Sequence, residues 1–160
     1  MTKKEEKTNV MRLLEQKKIE YKSHCYTDTD AVNGMEVAKT LNEDPNQVFK
    51  TLVTIGHSKA NYVFVVPVCA ELELKKAAKA VGEKSIEMIK SKELLPLTGY
   101  IHGGCSPIGM KKQFKTVIHE TAAKLETIIF SGGKIGYQVE VKPDDLKKIV
   151  NFTYADVIEK

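Results

Sequence analysis

The run Tyr62-Val63-Phe64-Val65-Val66-Pro67-Val68 constrains this chain more than any other stretch. It has no polar face, so as a strand it must be covered on both sides, in the middle of a sheet. Even extended to Ala70 it falls far short of the roughly 20 apolar residues a spanning helix needs. Residues 48–55 read as a second strand after the turn signal Asp44-Pro45-Asn46, and residues 57–61 join the two strands as a hairpin. A central antiparallel pair is the first expectation.

The remaining pattern surrounds that pair. Residues 8–19 carry Val10, Met11, Leu13, Leu14 and Ile19 at helical spacing, with Thr8 suited to the N-cap. A short strand is expected over 21–26, then a polar stretch 27–33 and a helix over 34–41. Residues 71–81 alternate Leu72, Leu74, Ala77, Ala78 and Val81 with lysines, an amphipathic helix ended by Gly82. Helices are expected over 85–90 and 92–95. A glycine-rich loop follows over 99–109, then strands over 116–119, 127–131 and 137–142. Pro143 opens a helix over 144–150, and residues 152–158 close the chain. No repeat or linker interrupts it, so residues 1–160 are expected to form one α+β domain: a mixed sheet wrapped by helices.

Composition narrows the function classes. The formal net charge is +4 and the isoelectric point about 8.8, which suits brief contact with a polyanion without requiring it. There is no Trp and aromatics make up 7%, so a broad stacking platform for single strands is not expected. Cys25, Cys69 and Cys105 are far apart, and His24, His57, His102 and His119 show no ligand spacing; neither a disulfide framework nor a metal site is expected. Residues 1–7 are charged, with no apolar signal core behind them, and a cytoplasmic protein without membrane contact is expected.

Chemistry is sparse. Lys50 shares a strand face with Val48, Leu52 and Thr54; it is either an edge lysine that blocks aggregation or a cation reaching into a cleft. The loop Gly99-Tyr100-Ile101-His102-Gly103-Gly104-Cys105-Ser106-Pro107-Ile108-Gly109 lets main-chain donors approach a ligand, or is a tight turn and no more. Gly104 and Gly109 have P-loop spacing, but Met110 and Lys111 stand where the phosphate lysine and the hydroxyl belong, so no nucleotide cofactor is expected. Ser131-Gly132-Gly133-Lys134-Ile135-Gly136 reads as a glycine-rich turn between strands, or as a turn whose Ser131 donates to a ligand. Cys105 and His102 share a loop, yet nothing places a base on that thiol. The sequence offers a cleft without an evident catalytic engine.

Five stretches meet a known family. Val48-Phe49-Lys50-Thr51-Leu52, Val66-Pro67-Val68 with Ala70-Glu71-Leu72, Leu97-Thr98-Gly99-Tyr100, the 103–109 loop and Ser131-Gly132-Gly133 resemble, in order and spacing, the YbaK/EbsC family of free-standing aminoacyl-tRNA editing proteins. The resemblance implies a mixed, partly closed sheet or barrel flanked by helices. It implies release of cysteine from Cys-tRNA(Pro), with Cys-tRNA(Cys) as a further substrate, and prolyl-tRNA synthetase as partner. Lys50 and the main-chain donors of Gly103 and Gly104 would be catalytic. Tyr26, Thr51, Pro107, Ser131, Gly132 and Gln138 would bind the aminoacyl 3′ end. Gln138 departs from an acid found in some relatives, and Asn33 stands near where some have phenylalanine. A deacylase for another small aminoacyl-tRNA, such as Ala-tRNA(Pro), and a non-catalytic 3′-end adaptor remain as alternatives.

Overall fold

A computed structural model describes residues 7–27, 29, 31 and 34–159. The polar stretch before the second helix, including Asn33, falls partly outside the described residues. Helix α1, Asn9–Gln16, starts where expected because the Thr8 hydroxyl accepts the Met11 N–H at 3.2 Å. Strand β1, Tyr21–Cys25, and helix α2, Gly34–Thr40, follow. The central hairpin is β2, Phe49–Gly56, and β3, Asn61–Pro67, antiparallel with Lys50 opposite Val66 and Leu52 opposite Phe64. Helix α3, Leu74–Val81, ends on Gly82 at φ 75°, a left-handed position that glycine adopts without strain.

Residues 85–90 are not helical. They contribute β4, Ile86–Met88, which pairs antiparallel with β2. A six-residue segment cannot meet the cost of helix nucleation by itself, while the open edge of β2 offers ready backbone partners and a buried place for Ile86. Helix α4, Ser91–Thr98, runs longer than expected and carries Pro96 within it. Strands β5, Lys115–His119, β6, Ile128–Ser131, β7, Tyr137–Val141, and β8, Phe152–Ala155, complete the set. The last expected helix is a 3-10 segment, Pro143–Lys148, and another 3-10 segment, Glu120–Lys124, has no counterpart in the sequence reading.

The strands form two sheets, in the orders β1-β7-β6 and β4-β2-β3-β5-β8, the latter mixed because β3, β5 and β8 run parallel. Among the described residues the sheets are joined by one parallel bridge, Val48 to Ile129. They make a partly closed wall and not a sealed barrel. The main core lies inside it, with Leu14, Phe49, Val53, Val65, Ile108, Phe130 and Val139 in contact. A second core, Phe64, Val66, Ala77 and Val117, packs the outer face of the larger sheet against α3. Strand β3 is therefore covered on both sides, and Phe64→Ala would cost about 3–5 kcal/mol.

Candidate active site

Lys50 lies on the β2 face that carries Leu52, opposite Val66, near the end where the two sheets meet. Its side chain is 29% exposed, and its ammonium lies 3.7 Å from the carboxylate of Glu71, itself 78% exposed. An ion pair this open contributes at most about 1 kcal/mol, so an incoming phosphate or ribose can displace Glu71 at little cost. Thr51 points to the opposite face, and its buried hydroxyl oxygen has no hydrogen-bond partner among the described residues.

The bridge between the sheets sets the next relation. Val48 and Ile129 pair in parallel, held by the Ile129 N–H on the Gln47 carbonyl at 3.0 Å. Two residues further along each strand, alternation puts Lys50 and Ser131 on the same side as that pair. Ser131 is opposite Gln138 on β7, and Gln138 is opposite His24 on β1. A polar row thus crosses three paired strands, Ser131, Gln138 and His24, and Lys50 stands on the same side of the sheet across the bridge.

Helix α2 lies over this face. A Cβ at Gly34 would come within 2.4 Å of Val68, so only glycine lets the helix start this close, and Ala38 packs with Val48, Val68 and Ile129. The chain then turns at Glu43, whose N–H donates to Ala38 O at 2.8 Å. The Glu43 carboxyl is brought against Gln138, His24 and Glu140, and its pKa is raised, first by burial; the His24 ring and the Gln138 amide oppose the rise, and Glu140 adds to it. Glu140 is well served: His24 Nε2 lies 2.8 Å from one oxygen and the Thr127 hydroxyl donates to the other at 2.6 Å. Hydrogen bonds hold its pKa down despite burial. Neither oxygen of Glu43, nor the Gln138 side-chain oxygen, has a partner among the described residues.

The glycine loops meet at the end of the smaller sheet. Gly103 is exposed at φ 88°, and its N–H has no hydrogen-bond partner among the described residues. The Gly104 N–H is taken, donating to Ile101 O at 3.0 Å, and a Cβ there would lie 3.2 Å from the Ile135 nitrogen. Gly104 therefore serves the close approach of the loop to the 131–136 turn. The turn is built by the Gly133 N–H on Ser131 Oγ at 3.1 Å and the Gly132 N–H on Tyr137 O at 2.9 Å. The N–H of buried Tyr26 donates to Gly136 O at 2.8 Å, fixing that residue to the same turn. Pro107 is buried, and the Tyr100 hydroxyl donates to the Ile108 carbonyl, locking the far end of the loop. Cys105 is buried and its thiol is pushed up to about 12, so it stays protonated and unreactive.

The structure thus gathers Tyr26, Gly104, Ser131, Gly132 and Gln138 around one turn, with Lys50 on the same side of the sheet as Ser131. Two surface clefts, of about 260 and 370 Å³, border none of the expected site residues. No group of three or more metal-ligating side chains occurs among the described residues. Nor is any described helix long and apolar enough to cross a membrane. The sequence reading missed Glu43: it directly precedes the Asp44-Pro45-Asn46 turn, and no periodicity distinguishes it from a solvated loop acid.

Comparison with known proteins adds an independent line. Residues 29–149 match the family model described as an aminoacyl-tRNA editing domain. A protein of Enterococcus faecalis named "Putative Cys-tRNA(Pro)/Cys-tRNA(Cys) deacylase EbsC" is 44% identical over 159 residues, 99% of this chain and 97% of that protein. Among solved structures, a hypothetical protein superposes with a TM-score of 0.85 at 20% identity, covering 94% of this chain and 99% of the other. A structure described as "a putative trans-editing enzyme for prolyl tRNA synthetase" gives 0.80 at 23% identity, covering 94% and 95%. At those identities the superpositions speak for the fold.

Proposed function

The chain belongs to the aminoacyl-tRNA editing domain family, and on that premise we propose that it is a trans-editing deacylase that clears cysteine from Cys-tRNA(Pro), and also from Cys-tRNA(Cys). The observation that carries the mechanism is a polar row beside a glycine loop whose own thiol is buried and protonated. No protein side chain in that set is fit to attack, so the substrate supplies the nucleophile.

The ester lies along the row with the tRNA 3′ end at Lys50 and the amino acid toward Gln138. Lys50 exchanges Glu71 for phosphate or ribose oxygens, while Thr51, its neighbour in the chain, faces away from the ester. Ser131 and Gly132 flank the acyl group, and Tyr26 and Pro107 wall the pocket. The substrate sulfur bonds to its own ester carbon, held close by orientation. Negative charge gathers on the carbonyl oxygen, which the Gly103 N–H receives; one such donor can be worth about 2.7–4 kcal/mol. The bond from carbon to ribose oxygen then breaks, and that oxygen takes up the proton the thiol gave. The product is a four-membered cysteine thiolactone, which water opens to free cysteine.

This route explains selectivity without a tailored side-chain pocket, because alanine and proline have no thiol to use. It does not distinguish one cysteinyl-tRNA from another, so prolyl-tRNA synthetase is the partner that would direct it. The test compares Cys-, Ser- and Ala-tRNA(Pro) with purified protein. Rapid loss of cysteine alone is expected; equal turnover of the seryl or alanyl ester would exclude thiol assistance and favour hydrolysis by water.

A further inference from the structure

Three interior acceptors near the polar row lack a donor. Both carboxylate oxygens of Glu43 and the side-chain oxygen of Gln138 are shielded from solvent and have no hydrogen-bond partner among the described residues. Proteins rarely leave buried acceptors unmatched, because each forfeits its hydrogen bonds to water. The neighbours cannot make up the deficit. His24 Nε2 is engaged with Glu140 at 2.8 Å, the Thr127 hydroxyl with Glu140 at 2.6 Å, and the Gln47 amide with Thr127 at 2.8 Å. The Gln138 amide is near enough to Glu43 to pull its pKa down, as a hydrogen-bonding neighbour does, yet the contact is too long or too bent to count as a formed hydrogen bond to either oxygen.

A primary ammonium is the complement of that set, with three hydrogens and one positive charge. An aminoacyl ester carries such a group on its α-carbon, one bond from the carbonyl. Gln138 stands next to Ser131, in the row that begins at Lys50, so the amino group would reach Glu43 when the 3′ end sits at the lysine. We propose that Glu43 and Gln138 form the subsite for the α-ammonium of the aminoacyl ester, making Glu43 a specificity-determining residue. The assignment rests on the deacylase reading and adds a recognition rule to it. A free amino group is demanded, so an ester whose nitrogen is acylated, as in any peptidyl-tRNA, brings neither the charge nor the hydrogens and is spared. Clearing cysteine and sparing growing chains then follow from one carboxylate.

The experiment compares cysteinyl-tRNA with 3-mercaptopropionyl-tRNA, which keeps the thiol and lacks the amine, in wild type and Glu43→Gln. Wild type is expected to favour the cysteinyl ester in kcat/KM by roughly 100-fold or more, because the analogue leaves buried acceptors unpaired. Glu43→Gln is expected to shrink that preference to about threefold while leaving turnover of the analogue within about threefold of wild type. Equal treatment of the two esters by wild type, or an equal loss on both in the variant, would overturn the proposal. A second measurement needs no variant: titration of wild type with the stable 3′-amides of cysteine and of 3-mercaptopropionic acid on 3′-aminoadenosine. Tighter binding of the amine-bearing amide supports the subsite, and equal binding removes it. If wild type released no cysteine from any tRNA, the deacylase reading would fall, and this titration would still decide whether the ammonium subsite exists.

Discussion

Among the described residues, the polar clusters around His119 and around Glu43 balance their hydrogen bonds in opposite ways. Around His119, supply meets demand. The ring is 3% exposed, its Nδ1 accepts the Val157 N–H at 3.3 Å, and Lys76 donates to Asp156 at 2.9 Å and to Ile158 O at 2.8 Å. These bonds, with the Glu73 N–H on Val157 O and the Glu159 N–H on Glu71 O, strap the last residues to the start of α3. Around Glu43 and Gln138 the acceptors outnumber the donors. The first cluster borders the 260 Å³ cleft, and its hydrogen bonds are matched within the fold. The second borders neither of the two clefts and keeps acceptors without donors.

The largest effect expected is on the cation at the head of the row. Lys50→Ala should cut deacylation of Cys-tRNA(Pro) by about 100-fold or more, because the 3′ end loses its anchor; single-turnover kinetics would show it, and near-normal turnover would detach Lys50 from the Glu43 cluster. Next comes the balanced cluster. His119→Ala should destabilise the fold by about 2 kcal/mol, through lost packing and an orphaned Val157 N–H, with turnover per folded molecule unchanged. Glu43→Gln should act in the reverse direction, raising stability by about 1 kcal/mol as a buried, unpartnered carboxylate is removed. A loss of stability in that variant would mean Glu43 already has its partner.

Titration sharpens the same contrast. Burial lowers the His119 pKa, opposed by Asp156 and Glu120, so the unfolded chain binds its proton first. Stability should therefore fall as pH drops from the ordinary 6.5 toward the lowered folded value, and His119→Gln should remove that fall. The Glu43 pKa is raised, so its folded form holds a proton longer, and stability should fall as pH rises from the ordinary 4.5 toward the raised value. Denaturant melts across pH in the two variants separate these opposite slopes. The smallest effect belongs to Cys105→Ala: with its thiol held protonated, its loss should change turnover by less than about threefold.

How far the sequence could be read depended on how local the cause was. Thr8 capping α1, Gly82 ending α3 and the two-sided burial of β3 are each set by a few adjacent residues, and all were legible. Residues 85–90 were not, because their strand is decided by the open edge of β2, some 30 positions earlier in the chain. The row Lys50, Ser131, Gln138 was reachable through family motifs, yet its straightness depends on a bridge between residues 48 and 129 that no local pattern encodes. Glu43 was hidden for the same reason. The Asn46 N–H on Asp44 at 2.9 Å makes the turn the sequence announces, and nothing in that turn says its preceding acid is folded inward.

That bridge also acts as a ruler. Lys50 belongs to one sheet and Gln138 to the other, so the span from cation to amide is fixed where Val48 and Ile129 touch, shimmed by Ala38 and Val68. A bulkier aliphatic at position 38 would lift α2 from the face that carries the row and deepen the space beneath the helix. Acceptance of longer acyl groups is then tunable from the apolar seat of that helix.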